Sequence, residues 1–295
     1  MISILEFALS QYDFSQLIER AERVLAQLEA WLPPVPPATD WSALAYRWRK
    51  QGTRGWLESV HNIAQIATTD LLHVEEQKKT LERNTGNFVQ GKPANNVLMT
   101  GSRGTGKSSL VRAMLHTYAK KGLRLVEVDK EDLADLNDII KQLEHRPERF
   151  VIFCDDLSFD AGEPGYKELK SVLDGSVAAP SDNVLIYATS NRRHLMPEYM
   201  HENLDPNTQA GEIHPGEAVE EKISLSERFG IWLSFYPFSQ QHYLAIVNYW
   251  LQQLGCSQQQ IDAAKKEALQ WALQRGSRSG RVARQFAQDW AANHV

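Results

Sequence analysis

A glycine-rich stretch, "GSRGTGKS" at residues 101–108, constrains the fold of this chain more than any other feature of the sequence. It follows the apolar run "NVLMT" and precedes an amphipathic pattern made by Leu110, Val111, Met114 and Leu115. The order along the chain is therefore a buried strand, a tight loop and a helix. That order predicts an α/β architecture.

The same stretch satisfies the pattern G-x-x-x-x-G-K-[ST] of a phosphate-binding loop. Its glycines let the backbone curl around an anion, while inward N–H groups and the helix N-terminus supply positive potential. Lys107 would reach the β- and γ-phosphates of ATP, and the Ser108 hydroxyl would be a ligand of Mg²⁺. The residues predicted to bind the nucleotide in this loop are Gly101, Arg103, Gly104, Thr105, Gly106, Lys107, Ser108 and Ser109.

Two carboxylates end a second apolar run, "FVIFCDD", about 48 residues after Lys107. Asp155 would hold Mg²⁺ through its water shell, and Asp156 would orient or deprotonate the attacking water. Asn191 ends the next apolar run, "YATSN", where its amide could hold the same water. Because strand ends beside the loop face the nucleotide in open α/β sheets, we expect these three side chains at one site.

The remaining patterns predict the elements around that site. "LRLVEV" and "IWLSF" add two strand-like runs, and the runs near the loop are apolar enough for a parallel sheet that is buried on both faces. After Pro237 only helical patterns remain, and they predict a C-terminal helical lid. These lid helices are predicted at residues 239–254, 258–274 and 279–292.

The N-terminal part differs in texture from the rest. Apolar residues recur at helical spacing from Ile2 to Leu32, with Leu17, Val24, Leu25 and Leu28 on one side, until "PPVPP" ends the pattern. A second helix is expected over residues 40–68. We therefore predict three domains, which are a helical N-terminal module over 1–68, a large nucleotide-binding domain over 69–236 and the lid over 237–295.

Composition excludes several classes of protein. A net charge of −5 gives no global attraction to nucleic acid or anionic lipid. The two cysteines, Cys154 and Cys256, are too few for a disulfide framework, which favours a reducing compartment. The N-terminus lacks a basic leader and no run of eighteen apolar residues occurs, so we expect a cytoplasmic protein with no membrane span.

Five blocks in order resemble the AAA+-type P-loop ATPases, and more closely a bacterial family of predicted AAA+ ATPases catalogued as a domain of unknown function. The resemblance covers roughly residues 40–290 and implies a homo-oligomer with catalysis at subunit interfaces. The blocks are "NNVLMTGSRGTGKSSL", "FCDDLSFD", "YATSNRRHL", "EKISLSERFG" and "RSGRVARQF".

The resemblance also implies roles for two arginines. Arg228 in "SERFG" is similar to the arginine finger that one AAA+ subunit inserts into its neighbour's site, and an ion pair with Glu220, Glu221 or Glu227 is the competing interpretation. Arg281 in "SGRVA" resembles the lid arginine that senses the γ-phosphate. Other arginines of this part of the chain, which could take that role instead, are Arg275, Arg278 and Arg284.

Ahead of the loop, "TTDLLHVEEQ" resembles the AAA+ segment that passes beside adenine. Leu72, His73 and Val74 are the implied base neighbours, and His73 stands where that segment usually has glycine. Many AAA+ enzymes also carry Glu where this chain has Asp156. The shorter side chain predicts slow hydrolysis or a need for a partner, because misplacement by about 1 Å can cost 10²-fold in rate.

Two functions remain open at this point. The first is an ATPase that couples hydrolysis to the remodelling or loading of an unidentified protein or nucleic-acid target. The second is a slowly hydrolysing, nucleotide-dependent switch or loader that recruits a protein or DNA partner. The basic and aromatic stretch "YRWRKQGTRGW" at 46–56 fits single-stranded nucleic acid or, in the alternative, an amphipathic helix packed on the core.

The sequence offers little support for other chemistries. His201 and His214 lie in a long acidic segment at 195–222 and lack further ligands at metal spacing, which argues against a zinc site. No serine, histidine and carboxylate set for acyl transfer is recognisable. A small-molecule kinase is weakened because no residues that would bind a phosphate acceptor are evident.

Overall fold

A computed structural model of the chain describes residues 14–31, 36–64, 66–159, 163–175, 181–191 and 225–294. The chain divides into two compact units. The larger comprises residues 40–48 and 57–295 and contains the phosphate loop. The smaller includes helix α1 (Phe14–Trp31) and residues 49–56.

A sheet of seven strands organises the larger unit, in the order β2-β1-β4-β5-β6-β3-β7. The pairs β1·β4, β4·β5, β5·β6, β6·β3 and β3·β7 are all parallel. The strands are β1 (Ala45–Gln51), β2 (Arg54–Val60), β3 (Val97–Gly101), β4 (Leu123–Glu127), β5 (Arg149–Cys154), β6 (Val184–Ser190) and β7 (Ile231–Phe235). The five strand-like runs of the sequence thus form β3 to β7, and the α/β prediction is confirmed.

Helices flank the sheet and then form a C-terminal bundle. The three lid helices are present within one or two residues of the expected bounds, as α6, α7 and α8. The helices are α2 (Glu75–Val89), α3 (Lys107–Tyr118), α4 (Leu136–Leu143), α5 (Pro164–Asp174), α6 (Gln240–Gln253), α7 (Gln258–Gln274) and α8 (Gly280–His294).

The core has two layers because successive strand residues point to opposite faces of the sheet. Val97 and Met99 of β3 belong to one buried cluster, whereas Leu98 belongs to the other. The apolar face of α3 joins the first cluster, together with buried residues of the lid helices. Burial on both faces explains why the strands read as continuous apolar runs.

Residues 40–68 are not helical, and that expectation is wrong. Residues 45–60 form a β-hairpin, β1–β2, whose connection includes Gly52 with a φ of +61°. Ala45 of β1 is registered against Leu125 of β4, so a partner some eighty residues away sets the conformation. Alternation then buries Tyr46 and Trp48 completely. The expected packing of aromatic residues on the core is present, but a strand provides it.

In the N-terminal region, α1 falls within the helix predicted from Ile2 to Leu32, and residues 2–13 and 32 lie outside the described part. Leu17, Val24 and Leu25 are exposed. The three-domain boundaries stay predictions, although the hairpin within the first of them is part of the sheet. None of the described helices has both the length and the apolar character that a membrane span requires.

Candidate nucleotide-binding site

The glycine-rich loop connects β3 to α3, and its glycines adopt conformations that other residues avoid. Gly101, Gly104 and Gly106 have φ angles of +123°, +72° and +105°. A Cβ on Gly101 would lie 1.9 Å from the carbonyl oxygen of Phe235 in the neighbouring strand β7. Glycine at 101 is therefore required by sheet packing as well as by the turn.

Lys107 begins α3, and its side chain is folded into the loop. Its Nζ donates to the carbonyl oxygens of Gly101 and Ser102 at 2.6 and 2.8 Å, and to Asn191 Oδ1 at 3.1 Å. The side chain is only 6% exposed, and burial lowers the pKa of Lys107 to about 8, against the opposing attraction of Asp155 and Asp156. A desolvated cation held mainly by neutral acceptors is well suited to receive an anion.

Ser108 and Asp155 meet beside the lysine, as the sequence predicts. Ser108 Oγ donates to Asp155 Oδ1 at 2.7 Å, and Thr189 Oγ1 donates to the same oxygen at 2.5 Å. Mg²⁺ is usually bound by one or two protein oxygens, with waters and substrate phosphates completing its shell. Ser108 and Asp155 offer two oxygen ligands, which fits Mg²⁺. Thr189 orients the carboxylate of Asp155. No cluster of three or more His, Cys, Asp or Glu side chains suited to a metal occurs among the described residues.

Asp156 follows in a strained backbone conformation, with a φ of +53°. Its backbone N–H donates to Thr189 Oγ1 at 2.9 Å, which supports the conformation. Its carboxylate accepts a hydrogen bond from Asn191 Nδ2 and lies 3.7 Å from the Arg103 guanidinium. Asn191 therefore bridges Lys107 and Asp156.

These groups lie in one cavity of about 780 Å³ between the sheet edge and the lid helices. Of the residues predicted to bind nucleotide or catalyse, Gly101, Val74 and Arg228 do not line it. Gly101 still contributes through its carbonyl oxygen. The predicted residues that do line the cavity are Leu72, Arg103, Gly104, Thr105, Gly106, Lys107, Ser108, Ser109, Asp155, Asp156, Asn191 and Arg281.

The base segment, residues 68–74, forms one wall of the cavity through Leu71 and Leu72, whereas Val74 is buried in the core. His73 has a φ of +60°, the left-handed conformation that glycine adopts most easily. Its ring stacks on His242 of α6, with centroids 4.1 Å apart and an interplanar angle of 10°. Burial, with a smaller contribution from His242, lowers the pKa of His73.

The lid touches the phosphate loop directly. The N–H of Gly280, at the start of α8, donates to the Gly104 carbonyl oxygen at 2.9 Å. A Cβ on Gly104 would lie 2.8 Å from Ser279 Oγ and 3.3 Å from the Cβ of Arg281. Arg281 is therefore carried next to the loop by backbone contacts.

The neighbouring arginines separate by position. Arg275 lies over the Trp271 ring at 4.3 Å, and neither it nor Arg278 lines the cavity. Arg284 lines the cavity and lies over Trp250 at 4.6 Å. Among the four candidates, Arg281 is the one next to the loop, with Arg284 one helical turn further along α8.

A hydrogen bond links the lid to the base segment, in addition to the stacking of His73 on His242. Tyr249 of α6 donates to Asp70 Oδ1 at 2.6 Å, and Asp70 Oδ2 accepts from the Ala67 N–H at 3.1 Å. The base segment is thus joined to α6 at two places, by Asp70–Tyr249 and by His73–His242.

Arg228 lies away from the cavity of its own subunit. Its Nε donates to Asp174 at the end of α5, and its side chain is 23% exposed. This ion pair joins Arg228 to Asp174, a carboxylate that the sequence did not indicate. Glu220 and Glu221 lie outside the described residues, as do His201 and His214. The role of Arg228 as an arginine finger stays a prediction.

Several residues of the site escape prediction from the sequence. Thr189 could have been found, because it stands two positions before Asn191 and shares a face of the strand with it. The lid residues give no such signal, since their approach depends on tertiary packing. The cavity-lining residues that the sequence did not indicate are Ala64, Ile66, Asp70, Leu71, Arg112, Thr189, Phe238, Ile246, Trp250, Gly280, Gln285 and Gln288.

Comparisons with known proteins concern the family and the fold. The family model described as "Protein of unknown function (DUF815)" matches residues 41–294. A RuvB variant of Thermotoga maritima superposes with a TM-score of 0.50 at 15% identity, and the match covers 76% of this chain and 63% of the RuvB chain. A chain of the Escherichia coli HORMA:CdnC:Trip13 complex gives a TM-score of 0.48 at 11% identity, covering 75% and 89%. The curated proteins contain no match.

The family model spans most of the chain, and the RuvB variant shares its fold. The chain belongs to the family described as protein of unknown function (DUF815), and it has the fold of an AAA+ P-loop ATPase.

Proposed function

We propose that the chain binds ATP with Mg²⁺ and hydrolyses it at a site that a second subunit completes. The observation that carries the proposal is the Asn191 bridge, in which one amide accepts from Lys107 and donates to Asp156. It links the group suited to phosphate with the group suited to water, as hydrolysis of a phosphoanhydride requires.

Nucleotide binding would exchange the partners of Lys107. Two backbone carbonyls and one amide oxygen hold its ammonium group, and all three are neutral. Anionic phosphate oxygens form stronger hydrogen bonds with an ammonium than neutral acceptors do. Ser108 and Asp155 would hold Mg²⁺, which would offset the charge of the phosphates.

The chemical step would fall to Asp156 and Asn191. The Asp156 side chain is 55% exposed, so a water molecule can reach its carboxylate. Its oxygen would accept the proton of the attacking water while the Asn191 amide orients that water. The strained φ of Asp156 and its N–H bond to Thr189 would keep the carboxylate directed at the cavity.

Arg228 would act on the neighbouring subunit. It does not line the cavity of its own chain, which supports a role at another chain's site. In that role its guanidinium would stabilise the negative charge that develops on the transferred phosphoryl group. This assignment implies a homo-oligomer.

The lid would move when the bound ATP is hydrolysed. Gly280 is bonded to the loop carbonyl of Gly104, and Arg281 is adjacent to that contact. Loss of the γ-phosphate would remove its contacts with Asn191 and Arg281 and so shift the lid against the large domain. That movement would remodel or load a target, which is a protein or a nucleic acid.

A slowly hydrolysing switch or loader is the second candidate, and Asp156 is the observation that favours it. Its carboxylate already accepts from Asn191 and lies close to Arg103, so its reorientation would compete with two contacts. For a nucleic-acid partner, two of the three hairpin aromatics give no support, because Tyr46 and Trp48 are buried and cannot stack on bases, whereas Trp56 is half-buried.

Equilibrium binding of a fluorescent ATP analogue tests the site. Lys107→Ala should weaken binding by at least about thirty-fold, because removing one partner of a buried charged pair costs about 2–5 kcal/mol. Lys121→Ala, a change of the same kind outside the cavity, is the matched control. Unaltered affinity in a folded Lys107→Ala variant would exclude the loop as the nucleotide site.

Phosphate release then separates binding from chemistry. Asp156→Asn should bind MgATP normally while releasing phosphate about 10²–10⁴-fold more slowly, the usual contribution of a general base. Undiminished release would show that Asp156 is not the water-directing group. Tight binding with no measurable release by the unmodified protein would favour the switch over the ATPase.

A further inference from the structure

Helix α1 carries an apolar stripe that the described structure leaves open to solvent. Leu17, Ile18, Val24 and Leu25 are 66, 53, 54 and 56% exposed. Single exposed aliphatic residues are ordinary, but four on one 18-residue helix form a patch of the kind that marks an interaction site.

The spacing of apolar residues along α1 is that of a helix that packs on another helix. They recur at alternating intervals of three and four, which are the a and d positions of a heptad repeat. Ile18 and Leu25 lie beside this line and widen it to the stripe typical of helix bundles. The residues at the a and d positions are Phe14, Leu17, Ala21, Val24, Leu28 and Trp31.

The polar side of the helix argues for a protein partner over a lipid surface. Glu19 and Arg23 form an ion pair at 3.1 Å, with both side chains largely exposed. Over the whole of α1, three glutamates oppose two arginines, so the helix has a charge of −1. Helices that lie on anionic membranes carry a polar face rich in lysine and arginine. That attraction is missing here.

We propose that this stripe is the docking surface for α1 of a second copy of the chain, in antiparallel orientation. The series of apolar residues reads alike in both directions about its midpoint between residues 22 and 23. Leucine at 17 matches leucine at 28, and the aromatic residue at 14 matches the one at 31. Such a self-complementary face suits a two-fold interface, where each contact between two residues occurs twice.

Residue volumes select the antiparallel orientation over the parallel one. A parallel pair would place Ala21 against Ala21 and leave a gap at that layer. An antiparallel pair places Ala21 against Val24 of the other copy. A small side chain then faces a larger one in both central layers, and no gap is left. Charge presents no obstacle, because the near-neutral helices do not repel each other.

Helix α1 lies outside the residues that the family model matches, since that match begins at residue 41. The pairing therefore goes beyond the proposed ATPase function and can succeed or fail independently. Two helices of 18 residues associate only weakly. We expect a dimer that dissociates on dilution, in the absence of nucleotide and equally in the Lys107→Ala variant.

Sedimentation velocity of the full chain without nucleotide tests the proposal. Val24→Glu should weaken self-association at least about tenfold, because it buries a charge in the interface. Ala26→Glu adds the same charge at an exposed position that is neither a nor d, and it should leave the dimer intact. An unchanged dimer in Val24→Glu, or an equal loss in both variants, would overturn the proposal.

Cysteine cross-linking tests the orientation, with little background expected from the buried Cys154 and Cys256. Ala21→Cys and Val24→Cys chains that carry different tags should cross-link to each other more than either does to itself. Preferential Ala21→Cys self-linkage would contradict the antiparallel arrangement, and no linkage at all would contradict the pairing.

Two further outcomes would assign the stripe to another occupant. Co-sedimentation of a monomeric protein with phosphatidylserine vesicles, lost in Val24→Glu, would indicate a membrane surface. A monomer whose melting temperature falls in Val24→Glu but not in Ala26→Glu would indicate that the chain covers its own stripe. Either result would overturn pairing between copies.

Discussion

The phosphate loop and the β1–β2 hairpin differ in how far their own residues determine their conformation. The loop depends on glycines with positive φ at 101, 104 and 106, and its sequence alone predicts both its shape and its ligand. The hairpin has helix-like spacing in sequence, yet it pairs with β4 through Ala45 and Leu125. Local steric rules fix the first region, and long-range pairing fixes the second.

The largest effect on stability is expected from Trp48. This side chain is 2% exposed, and its Nε1 donates to Asp135 Oδ2 at 3.2 Å. Trp48→Ala should lower the free energy of unfolding by about 3–5 kcal/mol, the usual cost of removing a large buried side chain. Denaturant titration measures it, and nucleotide affinity of the folded protein should change little.

Trp48→Phe provides the matched control for that change. It keeps most of the apolar volume and loses the hydrogen bond to Asp135, which should cost about 1 kcal/mol. Equal and small effects of both substitutions would mean that the hairpin is not integral to the core, and the contrast with the loop would then fail.

Gly104→Ala should have an intermediate effect, on nucleotide binding. A Cβ there is strained at φ +72° and collides with Ser279, so the loop and the lid must separate. Strain of about 1–2 kcal/mol corresponds to roughly tenfold weaker binding. If the lid is the cause, adding Arg281→Ala to this variant should weaken MgATP binding little further. Independent, additive losses would place the effect in the loop alone.

The smallest effect concerns pH and His73. Because the pKa of His73 is lowered in the folded state, the unfolded chain binds this proton first as pH falls through about 6.5. Stability should therefore decline between pH 7.5 and 5.5. His73→Asn, which tolerates the left-handed conformation, should reduce that decline, and His145→Asn at an exposed position should not. Identical pH profiles for all three proteins would exclude His73 as a contributor.

The sequence predicts most of the site around the phosphate loop and little of the cavity wall that the lid forms. Lys107, Ser108, Asp155, Asp156 and Asn191 converge because a phosphate loop and the ends of parallel strands share one sheet edge. Lid residues such as Trp250 line the cavity because the lid packs next to the phosphate loop, and no local pattern encodes that contact.

The fold shows the same division. Continuous apolar runs predict β3 to β7, since strands buried on both faces lack polar interruptions. The β1 strand carries Arg47 between the buried aromatics Tyr46 and Trp48, and Arg49 and Lys50 follow, so charged residues mask its alternation. Arg47 remains in the sheet because it pairs with Glu127 of β4 at 2.7 Å, a partner that only the folded chain supplies.

The central claim is that Arg228 of one subunit completes the site of another, and subunit mixing tests it most directly. Phosphate release is measured for oligomers co-purified from Lys107→Ala and Arg228→Ala chains, beside each variant alone. We predict that each variant alone is inactive and the mixture is active, because the first supplies Arg228 to the intact loop of the second. Asp174→Ala, which removes the ion-pair partner of Arg228, should retain activity as the control. A mixture no more active than its two components, with the unmodified protein active, would contradict the account.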